Sequence, residues 1–547
     1  MEKPMYGKFC SQQLWFVILV SFSLGVVLLC FDYSALFGSD NGDVLVLNNY
    51  ENGVTTTVDS ESNHFSGNYS DDDDDIIAPL PRNPLVVVVN QTDSVALEPT
   101  REKKGVVEVK DESDSSCLGR YIYVHDLPSR FNEDLVKNCH LFTRGTEQNM
   151  CPYLVNLGLG SRIQNHEMVL LNDSWFSTNQ FLLEVIFHNR MKNYKCLTGN
   201  SSLASAIYVP FYAGLDISRR LWGVRTSDRD SSAVDLLKWV AGKPEWERMW
   251  GRDHFLVAGR ISWDFRRQTD NESDWGSKLR FLPESKNMSM LSVESSCWNN
   301  DFAIPYPTCF HPSKKDQILQ WQDKMRRQKR NYLFSFAGAP RPDLQDSIRG
   351  KIIDQCLASG SACRLLDCNY GATNCDNPVN VMKVFRSSVF CLQPPGDSYT
   401  RRSIFDAILA GCIPVFFHPG TAYAQYLWHL PKNHTTYSLY MPVREIKDWK
   451  VRINETLLGI SEDRVIGLRE EVIKLIPKII YADPVSSKSE TLEMEDAFDV
   501  AVKGILERIE KVRELIREEK DPSIGFSDGD DYKYTFSAYG GELNVTI

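Results

Sequence analysis

Short apolar blocks bounded by glycine, proline or polar clusters alternate along this chain with longer stretches whose apolar residues recur every three to four positions. The alternation is clearest over 389–417. Residues 389–392 form a β-branched and aromatic run, the mark of a buried strand. Pro394, Pro395 and Gly396 then force a turn. Beyond it, Ile404, Ala407 and Ile408 share one face of a helix, with Asp397, Ser398 or Thr400 expected to cap it. Gly411 stands where that helix should close, and 413–417 is a second apolar strand. The run predicts a βαβ unit whose loop lies at the carboxyl end of its first strand.

The same rhythm recurs on both sides. It predicts strands over 121–124, 207–211 and 255–258, with a helix over 180–189. A strand over 332–336 opens a second set. It runs into a loop containing Gly338 and then a helix with Ile348, Ile352, Ile353 and Cys356 on one face. A strand over 437–441 and a helix over 465–476 follow. The long amphipathic helix over 494–516 is expected to pack back on the first set. Strands separated by helices predict an α/β chain with parallel sheets covered on both faces. The expected domains are 117–328 and 329–490, each Rossmann-like, then the helical segment 491–520 and a flexible tail, 521–547.

The amino-terminal part reads differently. Residues 14–31 are almost continuously apolar, long enough to span a bilayer. Lys3 and Lys8 precede them and acidic residues follow, which places 1–13 in the cytosol and the rest in a lumen. An uncleaved signal anchor fits better than a cleaved leader, since no small-residue cleavage site follows. Residues 32–116 are polar, include the aspartates of 71–75, and read as a flexible stem.

Composition narrows the function. At 547 residues, with 42% hydrophobic and 24% charged positions, the chain has room for two or three globular domains. A net charge of −11 without a basic stripe argues against nucleic acid as a partner. Of the 14 cysteines, those beyond the anchor suit disulfides in an oxidising lumen. The spacing of Cys356, Cys363, Cys368 and Cys375 lacks the paired ligands of a zinc module. Asp528-Gly529-Asp530 follows no strand, so no metal site is expected. Asn-x-Ser/Thr sequons recur from Asn68 to Asn544, Asn271 among them.

Candidate chemistry gathers at predicted strand ends. In the βαβ loop, Gly396 and Ser398 precede Arg401 and Arg402, whose guanidinium forks suit phosphate oxygens near a helix N-terminus. Asp406, one turn on, could accept ribose hydroxyls. The local pattern alone leaves two readings open, a nucleotide-sugar site and an ordinary solvated helix face. Gly338, Arg341 and Arg349 form a second loop able to hold a phosphate. In the first domain, His125, Tyr212, Arg260 and Trp263 are candidates for stacking on and hydrogen-bonding to a sugar acceptor. Asp264 and Asp216 are the candidate bases there.

The run Gln-Pro-Pro-Gly-Asp-Ser-Tyr-Thr-Arg-Arg-Ser, then Phe-Asp-Ala-Ile-Leu-Ala-Gly-Cys-Ile-Pro-Val-Phe-Phe, resembles the donor-binding signature of plant exostosin-like glycosyltransferases, family forty-seven. Gly119–Pro128, Tyr208–Asp216, 251–267 and Ile304–Pro307 agree with it. Within that family the likeness is to the xyloglucan galactosyltransferase clade. The resemblance implies a GT-B architecture, two Rossmann-like domains facing across a cleft, and a metal-independent, inverting transfer from UDP-galactose to xylosyl side chains of xyloglucan. It implies a single-pass Golgi membrane protein with a luminal catalytic unit, able to form complexes with other wall glycosyltransferases. UDP-galacturonic acid is an alternative donor. A non-catalytic scaffold subunit is the reading from another class, and a glycosidase, which would lack a phosphate cradle, is a third.

Overall fold

A computed structural model describes residues 117–522, apart from 142–149, 165–167, 297–299, 345–346, 369–372 and 486–494. The expected anchor, stem, carboxyl-terminal tail and Asp528-Gly529-Asp530 lie outside the described residues. Among the described residues no helix is long and apolar enough to cross a membrane.

The described residues form two five-stranded sheets, with every strand pairing in them parallel. The first runs in the order β1 (Tyr121–Val124), β2 (Ala204–Tyr208), β3 (His254–Ala258), β4 (Ser289–Ser292) and β5 (Asp301–Ala303). The second contains β6 (Tyr332–Gly338), β7 (Cys363–Asp367), β8 (Ser388–Gln393), β9 (Ile413–Phe416) and β10 (Leu439–Tyr440), in the order β10-β9-β8-β6-β7. The helices that matter for the site are α1 (Leu183–Met191), α2 (Ala213–Ser218), α3 (Thr226–Ala241), α4 (Arg349–Ala358), α5 (Arg402–Leu409) and α6 (Ala497–Arg517). Parallel strands joined by helical crossovers bury both sheet faces, which is why β3, β8 and β9 read as nearly unbroken apolar runs.

The predicted βαβ unit is β8–α5–β9. Gly411 follows the α5 C-cap with φ of +59°, a conformation that suits glycine, and so ends the helix as expected. The expected cap is corrected: Arg401 is the N-cap residue, extended and without a side-chain cap hydrogen bond. Each expected capping group is engaged elsewhere, Asp397 by Arg341 and both Ser398 and Thr400 by Glu294. A disulfide, Cys391–Cys412, staples β8 to the segment entering β9. Cys356 pairs with Cys363 and Cys368 with Cys375, so all four cysteines of that cluster are in disulfides.

Two element limits also shift. The strand predicted over 207–211 ends at Tyr208, because Pro210 has no N–H for the ladder. The helix predicted from residue 180 starts at Leu183.

One apolar core runs through both sheets, from Trp175, Phe187 and Tyr208 to Phe405, Phe416 and Ile505. The long helix α6 does return to the first sheet. Phe498 packs on Phe187 at 4.7 Å, Arg513 donates to the Ser205 carbonyl at 2.8 Å, and buried Arg190 pairs with Asp496 at 3.0 Å.

Candidate active site

The carboxyl ends of β3 and β8 meet at a cavity of about 720 Å³, within the usual size of a small-molecule site. The first sheet contributes the segment after β3. Glu184 of α1, fully buried, accepts the N–H groups of Gly214, Leu215 and Gly259 at 2.8–2.9 Å. That grip fixes where the chain leaves β3 and presents Arg260, Trp263 and Asp264 to the cavity. Asp264 Oδ2 accepts from Arg260 Nε and Oδ1 from Trp275 Nε1, each at 2.6 Å. The Arg260 guanidinium in turn lies 4.5 Å from the Phe181 ring centroid. Burial pushes the Glu184 carboxyl up to about 7, although its three amide donors and Arg260 oppose the shift.

The second sheet contributes the loop between β8 and α5. Asp397, Ser398, Thr400, Arg401 and Arg402 line the cavity, and Tyr306 lines it from the connecting segment. Arg402 Nε donates to Asp406 Oδ2 at 3.2 Å and Arg402 Nη1 to the Thr178 carbonyl at 3.1 Å. Burial alone would lower the Arg402 guanidinium, but Asp406 beside it prevails and holds it above its ordinary value. Burial brings Arg401 down to about 10, with Tyr306 opposing and Arg341 adding to the fall. Arg401 therefore still carries its charge at neutral pH. Arg349 donates from Nε to the Pro395 carbonyl at 3.0 Å, while its Nη2 is buried without a protein partner among the described residues. The Arg349 and Arg401 guanidiniums converge on Gly396. Two close cations, one with an unused buried donor, form a cradle suited to a diphosphate.

These contacts place every site residue expected from sequence. Arg260, Trp263, Asp264, Ser398, Arg401 and Arg402 line one cavity. Gly396 and Arg349 are not among its lining but adjoin Arg401, and Arg341 holds Asp397 at 2.9 Å. Asp406 is turned toward Arg402 and does not line the cavity. Gly338 ends β6 against the Phe336 ring. Three others are not brought to the cavity. Tyr212 is in the core with its hydroxyl 2.8 Å from His188 Nδ1, and Asp216 accepts from Ser232 at 2.9 Å. His125 lies 3.3 Å from His254 Nε2, where burial lowers it to about 4. Sequence reasoning missed Glu184, Glu294, Trp275 and Tyr306.

Comparison with known proteins bears on the same residues. Residues 116–457 match the exostosin GT47 domain. The chain is 59% identical over 548 residues to a probable xyloglucan galactosyltransferase, GT14, of Arabidopsis thaliana, covering 98% of this chain and 97% of that protein. The chain belongs to the exostosin GT47 family. Xyloglucan galactosyltransferase MUR3 of the same plant is 53% identical over 79% of this chain and 69% of its own length. Xyloglucan galactosyltransferase XLT2 is 40% identical over 73% of this chain and 76% of its own. The GT47 match spans both sheets and includes both walls of the cavity.

Proposed function

We propose that this GT47 protein is an inverting galactosyltransferase that moves galactose from UDP-galactose to a xylosyl side chain of xyloglucan. The observation that carries the reading is the facing pair of walls. Arg349 and Arg401 sit on the second sheet's side, and Asp264 with its aromatic neighbours on the first. The arrangement is read as GT-B, with the donor against the second domain and the acceptor against the first. The names of its relatives support the sugar and the polysaccharide.

In this reaction the acceptor hydroxyl oxygen forms a bond to the galactosyl C1 as the C1–phosphate oxygen bond breaks. The hydroxyl proton passes to a base, and the electron pair leaves with UDP. Asp264 is the better placed of the two candidate bases, because it lines the cavity and each of its oxygens keeps a second lone pair. Arg401 and Arg349 meet the charge that develops on the diphosphate, a role that needs no metal. Asp406 acts through Arg402 as a positioning residue. Residence in the Golgi membrane, through an anchor at 14–31, completes the proposal.

The test uses the full-length chain in membranes, galactose-free xyloglucan oligosaccharides, and UDP-galactose and UDP-galacturonic acid in separate reactions read by product mass. A hexose increment, lost in Asp264→Asn with UDP binding intact, is the expected result. A uronic-acid increment would change the donor, and absence of UDP binding would overturn the transferase reading.

A further inference from the structure

Trp222 and Trp275 are 41% and 38% exposed, yet their rings are stacked at 4.6 Å and only 15° from parallel. Two large indoles stacked face to face and still left partly in water are uncommon without a ligand to cover them. Their setting is built rather than incidental. Buried Arg229 of α3 donates to the carbonyls of Leu221 at 3.1 Å, Glu272 at 2.9 Å and Gly276 at 3.2 Å. The Gly276 N–H meets the Leu221 carbonyl at 2.7 Å, and the Gly223 N–H meets that of Glu272 at 2.9 Å. The segments carrying the two tryptophans are thus locked together before anything binds.

We propose that the Trp222–Trp275 pair is a second sugar-binding platform, which holds the main chain of the acceptor glycan beside the reaction cavity. The proposal rests on the acceptor side of the transferase reading. Its carrying observation is continuity: Trp275 lines the cavity, and its Nε1 donates to Asp264 at 2.6 Å. A glycan whose side chain reaches Asp264 must lay neighbouring sugars close by, and Trp222, stacked on Trp275, continues the aromatic surface that begins there. The uncovered outer face of such a stack takes the C–H face of a pyranose ring, while Ser273, which also lines the cavity, offers a hydroxyl to its edge. A protein partner would need a far larger apolar area than two rings supply. The chain's own sequon at exposed Asn271 could bring an N-glycan here instead, so the test includes that case.

The experiment uses full-length protein in detergent, as wild type, Trp222→Ala, Trp222→Phe and Asn271→Gln. Native electrophoresis through gels containing xyloglucan polymer reads binding without any donor. Kinetics are measured with the polymer and with a single-repeat oligosaccharide. Trp222→Ala is expected to weaken polymer binding and raise polymer KM roughly tenfold, a change of about 1.4 kcal/mol. Trp222→Phe should retain most of the binding, and kcat, donor KM and oligosaccharide KM should stay at wild-type values. Wild-type polymer binding by Trp222→Ala in an active enzyme overturns the platform and leaves the transferase reading standing. Tighter polymer binding by Asn271→Gln, with Trp222→Ala neutral, assigns the pair to the N-glycan and also overturns it. Retention of wild type only by a different polymer, lost in Trp222→Ala, keeps the platform and overturns the choice of xyloglucan.

Discussion

Glu294 Oε2 accepts both the backbone N–H of Thr400, at 2.8 Å, and its hydroxyl, at 2.5 Å. A carboxylate just beyond β4 of one sheet therefore fixes the loop beyond β8 of the other, next to Arg401. Burial pushes the Glu294 carboxyl up, against the hydrogen bonds from Thr400 and Ser398. Glu294→Ala would strand the Thr400 N–H in a dry site, at about 1–3 kcal/mol of stability. It would also free the arginine-bearing loop. UDP affinity should fall roughly tenfold or more, measured by calorimetry, while Glu294→Gln keeps one acceptor and most of the affinity. Wild-type UDP affinity in Glu294→Ala would show that the loop does not depend on this grip.

Gly396 tests the phosphate cradle from the other side. A Cβ there would overlap Arg401 Nη1 and lie 2.7 Å from Arg349 Nη2. Gly396→Ala must displace both guanidiniums from the position where the leaving diphosphate is proposed to sit. Loss of one preorganised donor typically costs ~10²–10³ in rate, so kcat should fall by at least that order. Arg401→Lys should fall similarly, because an ammonium does not reproduce the planar fork. Near-normal turnover in Gly396→Ala, with the fold intact by circular dichroism, would move the diphosphate elsewhere.

What the sequence made legible depended on how local the cause was. The β8–α5–β9 unit could be read because its strands are nearly unbroken apolar runs and Gly411 marks the stop. Strands β4 and β5 could not. Ser289 and Ser292 look polar in β4, and Asp301 of β5 is buried only because Arg266 and Arg280 neutralise it from distant segments. The cavity lining followed the same rule. Arg401, Arg402 and Asp264 were legible as lining candidates because they follow closely on strands. Tyr212 and Asp216 stand near one too, but whether such a side chain turns to the core or the cavity depends on partners such as His188 and Ser232. Glu294 carried no local signal at all, since its role comes from a loop 106 residues away.

Glu184 offers a test in pH. Its folded carboxyl lies at about 7 against an ordinary 4.5, because burial outweighs the amide hydrogen bonds. A raised acid binds more protons folded than unfolded. Its stabilising contribution is therefore complete below 4.5 and is lost as pH rises to 7, with no further change above. In Glu184→Gln the amide oxygen can take over Oε2, which serves Gly214 and Gly259. The amide NH₂ then faces the Leu215 N–H, donor against donor. That mismatch should cost about 1–3 kcal/mol. The Tm difference between wild type and Glu184→Gln should be largest near pH 5 and shrink toward pH 8, read by thermal denaturation across that range. Activity should stay close to wild type at every pH, since the amide oxygen keeps the grip on Gly259 that aims Arg260 and Asp264. A Tm difference that grows with pH would mean that the carboxylate, held by its three amides, is the stable form, and that burial does not win.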